Sequence, residues 1–143
     1  MSRNLTILFL LPTLVLASAC GSDDEGNICK QGDTGCTCAS QSSCSWVCEG
    51  GGCDFSAANQ GAATFDCDSG GGCKLLHSAQ GAVTLNCAAG SCTATSTGQG
   101  KLTVNCAGGG CTVGCNGQGE CVINGCPTCT CTEGAITATC TVN

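Results

Sequence analysis

A short alternation of apolar and polar residues recurs through the middle of the chain. Three phrases share the frame Gly-x-x-Thr-apolar-Asx-Cys and begin at Gly61, Gly81 and Gly100, spaced 19 to 20 residues apart. A fourth phrase begins at Gly119 and keeps the frame, but Gly125 occupies the cysteine place. Alternation over so short a segment indicates a β-strand with one buried face, and a fixed period of this length is typical of stacked repeats.

Each phrase is followed by a glycine-rich turn, a second cysteine and another alternating stretch. One repeat therefore predicts strand, turn, strand, turn. The alternation places one set of apolar residues on the inner face: Phe65, Leu85, Val104 and Ile123 on the first strand, and Phe55, Leu75, Ala94 and Val113 on the second. It places a polar set on the outer face: Thr64, Thr84, Thr103, Asp66, Asn86, Asn105 and Asn124.

These elements predict an all-β fold, a small disulfide-stapled β-solenoid of about four coils with two short strands per coil, in residues 48–125. A string of disulfide-bonded β-hairpins is the alternative, because periodicity does not fix how strands connect. The cysteine-rich flanks, 29–47 and 126–143, are expected to form an N-terminal and a C-terminal cap.

The composition makes cross-links necessary. Of 143 residues, 23 are glycine and 19 are cysteine, while aromatic residues make up 3%. Such a chain loses much conformational entropy on folding and has few large apolar side chains to bury in a core. The glycine-rich turns predict four disulfides: Cys48–Cys53, Cys67–Cys73, Cys87–Cys92 and Cys106–Cys111. The inward positions of Cys115 and Cys121 predict a fifth disulfide between them.

The N-terminus has the features of a signal peptide, predicted as residues 1–19. Arg3 supplies a positive charge, Leu5 to Leu16 form an apolar stretch, and small residues end at Ala19 before Cys20. Twelve residues are too short to span a bilayer comfortably. Export to an oxidising compartment is expected, and disulfides persist there.

The segment from Leu16 to Cys20 resembles the lipobox of bacterial lipoproteins, and the following Gly21–Gly26 is similar to their polar tether. This resemblance implies that Cys20 carries a lipid, that 20–28 is a flexible tether, and that the protein is anchored to a membrane, with Gly21 indicating the outer membrane. Acylation of Cys20 also leaves an even number of cysteines to pair. The small residues before the cut suit ordinary signal peptidase as well, and a secreted protein is the alternative.

The charge pattern excludes one class of partner. The formal net charge is −6, and Lys30, Lys74 and Lys101 are the strong bases that remain after the leader. Binding a phosphate backbone requires clustered lysine or arginine, so no nucleic acid is expected as a partner. A protein or surface partner stays open.

Two cysteine clusters have the close spacing of thiolate metal sites: Cys36-x-Cys38 and Cys126-Pro-Thr-Cys129-x-Cys131. Export and the scarcity of histidine favour disulfides, so no metal and no cofactor are expected; thiolate metal sequestration is the alternative function. The stretch from Cys126 to Cys129 also resembles the Cys-Pro-x-Cys signature of thiol oxidoreductases, although a βαβ pattern does not surround it.

Catalytic residues are not apparent. His77 is the single histidine, and the residues beside it do not resemble a nucleophile elbow. Asp66 and Asp68 flank Cys67, but other repeats do not carry this pair. We therefore expect a protein that is not an enzyme, with Trp46 as a packing anchor or, if exposed, a binding hot spot.

The leading hypothesis is an exported, membrane-anchored lipoprotein with a structural or binding role. The outward threonines, with Thr130-Cys-Thr132 and Thr139-Cys-Thr141, are similar to those of disulfide-bridged, threonine-rich antifreeze β-helices. Ice or crystal-surface binding is therefore a further alternative, alongside a thiol redox protein.

Overall fold

The computed structural model describes residues 27–134 and 139–143. The predicted signal peptide, Cys20 and most of the predicted tether lie outside these residues. The described residues form strands and turns, with no helix among them. The strands are β1 (Asn27–Lys30), β2 (Cys36–Cys38), β3 (Cys44–Glu49), β4 (Asp54–Ala57), β5 (Ala63–Cys67), β6 (Lys74–His77), β7 (Val83–Cys87), β8 (Thr93–Ser96), β9 (Leu102–Asn105), β10 (Thr112–Cys115), β11 (Glu120–Asn124), β12 (Thr130–Glu133) and β13 (Thr139–Val142).

The strands form two parallel sheets that share one helical path. Odd-numbered strands form a seven-stranded sheet in the order β1-β3-β5-β7-β9-β11-β13, and even-numbered strands form a six-stranded sheet. Every strand pair is parallel and joins equivalent residues of neighbouring coils, such as Phe65 with Leu85. A β-solenoid is therefore the fold, and the hairpin alternative is wrong because hairpins would pair their strands antiparallel.

The number of coils exceeds the expected four. The described strands make about six turns of about 19 residues, because both cysteine-rich flanks also coil. In the N-terminal flank, Ile28 of β1 pairs with Val47 of β3. In the C-terminal flank, Cys140 of β13 pairs with Cys121 of β11. The flanks lack the Gly-x-x-Thr frame but keep the alternation that a buried strand face requires.

The core is a narrow double column between the sheets. All eight apolar residues predicted to point inward are buried, so this prediction is confirmed. The rings of Phe55 and Phe65 meet with centroids 4.8 Å apart near one end, and smaller aliphatic residues follow. Most of the described cysteines occupy the sides of the same core with exposures near zero, and Cys44, Cys129, Cys131 and Cys140 are partly buried at its edge. Sulfur atoms and aliphatic side chains therefore make up most of this core.

Glycine permits two features of the turns. Gly71 and Gly72 have φ of 58° and 67°, a left-handed conformation that favours glycine. At the opposite corner, Gly61, Gly81 and Gly100 stack directly on one another, and a Cβ on Gly81 would lie 2.5 Å from the carbonyl oxygen of Gln60. The coils stack at the spacing of hydrogen-bonded strands because these positions carry no side chain.

Candidate functional site

The outer face of the seven-stranded sheet carries two parallel rows of polar side chains. The first, here called the hydroxyl column, consists of Thr64, Thr84 and Thr103, which lie in register on β5, β7 and β9. The second, here called the amide ladder, lies two residues further along each strand and consists of Asp66, Asn86, Asn105, Asn124 and Asn143. Successive members are about 4.8 Å apart because they sit on adjacent parallel strands.

The amide ladder is a continuous chain of side-chain hydrogen bonds. Asn105 Nδ2 donates to Asn86 Oδ1 at 2.7 Å, and Asn124 Nδ2 donates to Asn105 Oδ1 at 3.0 Å. The Nδ2 of Asn143 extends the ladder at one end by donating to Asn124 Oδ1 at 3.1 Å, and the Asp66 carboxylate accepts from Asn86 at the other. The amide dipoles therefore point the same way and end on a negative charge, an arrangement that strengthens each bond.

Each internal amide still has one N–H and one oxygen lone pair that the ladder does not use. A shallow groove of about 290 Å³ runs beside the ladder, bounded by Asn86, Asn105, Asn124, Ala88 and Ala107. The face therefore offers a row of donors and acceptors at constant spacing next to a strip of small apolar groups. This arrangement suits an extended or flat partner better than a compact molecule that needs an enclosed pocket.

The outer face of the six-stranded sheet is less regular. Thr93, Thr112 and Thr130 lie in register on three strands. In the neighbouring row Gly114 interrupts the threonines, and Leu76 is 50% exposed. The amide ladder and hydroxyl column therefore form the more uniform of the two surfaces.

The structure joins the five cysteine pairs that the turns and inward positions predict, Cys48–Cys53, Cys67–Cys73, Cys87–Cys92, Cys106–Cys111 and Cys115–Cys121. The remaining described cysteines form four further bridges, Cys29–Cys36, Cys38–Cys44, Cys126–Cys129 and Cys131–Cys140. All described cysteines are therefore in disulfides, including those of the two clusters that resemble thiolate metal sites.

The bridges are stacked closely enough for their sulfurs to be neighbours across coils. The Sγ atoms of Cys67, Cys87 and Cys92 lie within 4.8 Å of one another, as do those of three further trios. These trios are Cys87, Cys106 and Cys111; Cys106, Cys126 and Cys129; and Cys115, Cys131 and Cys140. A soft metal ion requires thiolates, so these clusters would bind one only after their disulfides are reduced.

His77 lies inside the solenoid rather than at its surface. Its Nδ1 is 2.9 Å from Ser96 Oγ in the next coil, and both side chains have an exposure of 0%. Burial lowers the pKa of the imidazole below its usual 6.5, and the nearby backbone of Gly81 and Ala79 opposes this shift only in part. The Nε2 atom has no hydrogen-bond partner among the described residues. A substrate has no access to this histidine and serine, and the pair is a packing element of the core.

The other residues that the sequence suggested as catalytic or binding candidates are Asp66, Asp68 and Trp46. Asp66 ends the amide ladder, and Asp68 lies in the loop that follows β5, exposed to solvent. Trp46 is half-buried and packs against the core. The hydrogen bonds of the ladder and the contacts between disulfides were not predicted, although the repeated Asx-Cys pair was their signal in the sequence.

Within the described residues there is no helix long and apolar enough to cross a membrane. Comparisons with protein-family models, with curated proteins and with solved structures found no match to this chain. The proposal for its function therefore rests on the outer face of the seven-stranded sheet, the disulfides and the predicted leader.

Proposed function

We propose that this protein is an exported lipoprotein, anchored through Cys20, whose disulfide-stapled solenoid holds a flat polar face rigidly at a membrane surface. The observation that carries this proposal is the amide ladder beside the hydroxyl column on the seven-stranded sheet. Such a surface needs a stiff backbone behind it, and the disulfides supply that stiffness where the apolar core is thin. The role is structural or binding, and it requires no catalytic group.

The lipobox-like segment and the number of cysteines support the anchor. The nine described disulfides use eighteen of the 19 cysteines, and Cys20 is the one that remains. A free thiol on an exported protein is reactive, whereas acylation removes it. The disulfides themselves are compatible with an exported protein.

Intact-mass measurement of protein purified from a bacterial host tests this proposal. We expect a chain that begins at Cys20, carries the mass of a lipid modification, and gains eighteen hydrogens on reduction, two for each of nine disulfides. The Cys20→Ala variant should lose the lipid and leave the membrane fraction while keeping all nine bridges.

Two results would contradict it. An unmodified chain starting at Cys20 in the culture medium indicates the secreted alternative. Native protein with many free thiols and bound zinc or copper indicates thiolate metal sequestration, the alternative that the cysteine clusters suggest. Thiol counting before reduction separates these two outcomes.

A second candidate function is binding to ice or another crystalline surface, which the alignment of Thr64, Thr84 and Thr103 favours. Rigid, evenly spaced hydroxyl groups present the same donor and acceptor at each step of a lattice. If this function is correct, Thr103→Lys should abolish adsorption to ice, while Thr112→Lys on the opposite sheet should not. Equal loss in both variants, or no adsorption by the parent protein, would exclude it.

A further inference from the structure

The bridge between Cys126 and Cys129 differs from the inner bridges in its accessibility. Cys129 is half-buried, whereas Cys106 and Cys111 of the neighbouring coil are 0% and 1% exposed. An external thiol must reach a sulfur atom to attack it, so it reaches the Cys126–Cys129 bond far more readily than the Cys106–Cys111 bond. The turn from Cys126 to Cys129 thus lies at the boundary between solvent and the column of buried disulfides.

Two hydrogen bonds dock this turn on the preceding coil. The backbone N–H of Gly110 donates to Thr128 Oγ1 at 3.1 Å, and the N–H of Cys111 donates to Cys129 Sγ at 3.2 Å. A backbone N–H aimed at sulfur favours the thiolate over the thiol once the bridge is opened. Of the two sulfur atoms of this pair, that of Cys129 is therefore the one whose thiolate form is stabilised by a hydrogen bond.

The next disulfide lies within reach of that charge. The Sγ atoms of Cys106, Cys126 and Cys129 all lie within 4.8 Å of one another. Cys106 is bonded to Cys111, so a thiolate at Cys129 has a disulfide sulfur as its neighbour. Thiol–disulfide exchange requires a thiolate beside a disulfide, and the fold provides both in adjacent coils.

We propose that Cys126–Cys129 is a redox-exchange site that accepts two electrons from an external dithiol and passes them to the buried Cys106–Cys111 bridge. The external dithiol reduces the first bridge to two thiols and is itself oxidised to a disulfide. The Cys129 thiolate then attacks Cys106 Sγ; the Cys106–Cys111 bond breaks, and Cys111 leaves as a thiolate that takes up a proton. Cys126 attacks Cys129, which re-forms the outer bridge and releases Cys106 as the second thiol.

The same contacts continue further into the solenoid. The Sγ atoms of Cys106 and Cys111 lie within 4.8 Å of that of Cys87, and Cys87 is bonded to Cys92. Once Cys106 and Cys111 are reduced, their thiols therefore lie beside the Cys87–Cys92 disulfide, just as the Cys129 thiol lies beside the Cys106–Cys111 disulfide. The column can distribute two electrons among buried bridges, and this property does not depend on the lipid anchor or on the outer face.

A trapping variant tests the first transfer. In Cys126→Ser the Cys129 thiol cannot be resolved by its partner, so we expect a Cys106–Cys129 disulfide and a free thiol at Cys111. Alkylation of the native full-length protein followed by peptide mass mapping locates that thiol. A label that stays on Cys129 overturns the proposal.

The matched control is Cys44→Ser, which frees Cys38. Cys38 lies in register with Ala57 rather than with a cysteine of the next coil. Its thiol should therefore remain at Cys38. Migration of this thiol into other bridges would show that exchange is unspecific and would overturn the assignment of Cys126–Cys129 as the entry point.

The parent protein provides a test without cysteine substitutions. With one equivalent of dithiothreitol and alkylation at increasing times, label should appear on Cys126 and Cys129 before it appears on Cys106 and Cys111. Thr128→Val keeps every bridge but removes the acceptor for Gly110, and it should slow the second stage. Labelling of Cys106 and Cys111 before Cys126 and Cys129, or an unchanged second stage in Thr128→Val, overturns the proposal.

Discussion

Replacement of Gly81 by alanine is expected to weaken the stacking of coils without altering a disulfide or an outer side chain. An ideal Cβ at this position would lie 2.5 Å from Gln60 O and 2.6 Å from the carbonyl carbon of Gly61, whereas ordinary van der Waals contact begins at 3.4 Å. The φ of Gly81 is not in the left-handed region, so the whole effect comes from this collision with backbone.

The geometry sets the size of the effect. Relief of the contact with Gln60 O requires a separation of at least about 0.9 Å, the difference between 3.4 and 2.5 Å, and the still closer carbonyl oxygen of Gly61 requires more. Two hydrogen bonds that join these coils lie beside Gly81: Gln80 N to Asn59 O at 3.2 Å, and Ala63 N to Ala82 O at 3.0 Å. Stretching both by that amount takes them beyond hydrogen-bonding distance, which costs about 3 kcal/mol of stability or more.

Urea unfolding of the oxidised protein measures this cost. Gly81→Ala should lower the midpoint by about 3 kcal/mol divided by the m-value, with m unchanged. The matched control is Gly114→Ala on the outer face of β10, where the nearest side-chain atom would be 3.7 Å from the new Cβ. This control should change stability by less than about 0.5 kcal/mol. If both variants unfold at the same urea concentration, the coils do not stack as closely as described.

Three further perturbations address other parts of the fold. Asn105→Ala removes two hydrogen bonds of the amide ladder and should cost about 2 kcal/mol in urea unfolding, whereas Asn143→Ala removes one and should cost about half as much. Burial lowers the pKa of His77, so on acidification the unfolded chain takes up a proton at a higher pH than the folded protein does. The free energy of unfolding should therefore fall as the pH drops below 6.5, by at most about 1.4 kcal/mol per pH unit, until the pH passes the folded-state pKa. This pH dependence should vanish in His77→Leu. Joint replacement of Cys87 and Cys92 by alanine opens a loop with a separation of 5 residues and should cost about 2 kcal/mol under non-reducing conditions. A cost below about 0.5 kcal/mol would show that this bridge contributes little to the native fold.

The sequence was sufficient to predict the two faces of each coil. Alternation in a strand assigns every second residue to the same side, so Phe65 and Thr64 had to point in opposite directions. The short turns likewise limited the partner of Cys48 to Cys53, because the two residues flank one glycine-rich loop. Both inferences depend on local geometry, which a single repeat already contains.

Contacts between coils could not be predicted from the sequence and required the structure. Periodicity shows that Asn86 and Asn105 are equivalent, but in a string of hairpins equivalent residues would lie on separate units and would not touch. Parallel register is what brings their amides together. The same reasoning applies to the sulfur atoms of Cys87 and Cys106, which are neighbours through stacking and not through a pairing that the spacing of either turn could indicate.

The predicted number of coils was too low, and the residues at one corner of the solenoid show the physical reason. The corner between the six-stranded and seven-stranded sheets is bridged at Cys38–Cys44 near one end and at Cys115–Cys121 near the other. The three coils between place other residues at the same register positions: Ala57, His77 and Ser96 on one sheet, and Ala63, Val83 and Leu102 on the other.

An outer coil of a repeat protein contacts a neighbour on one side, whereas an inner coil is stabilised from both. Cys38 lies on the edge strand β2, and Cys115–Cys121 lies one coil in from the edge strands β12 and β13, so the additional bridges lie at or next to the ends of the stack. They replace the buried residues that the inner repeats place at this corner. A coil held mainly by disulfides is free to lose the Gly-x-x-Thr frame and the aliphatic core positions. The cysteine-rich flanks consequently look like separate caps in the sequence while following the same helical path as the repeats they adjoin.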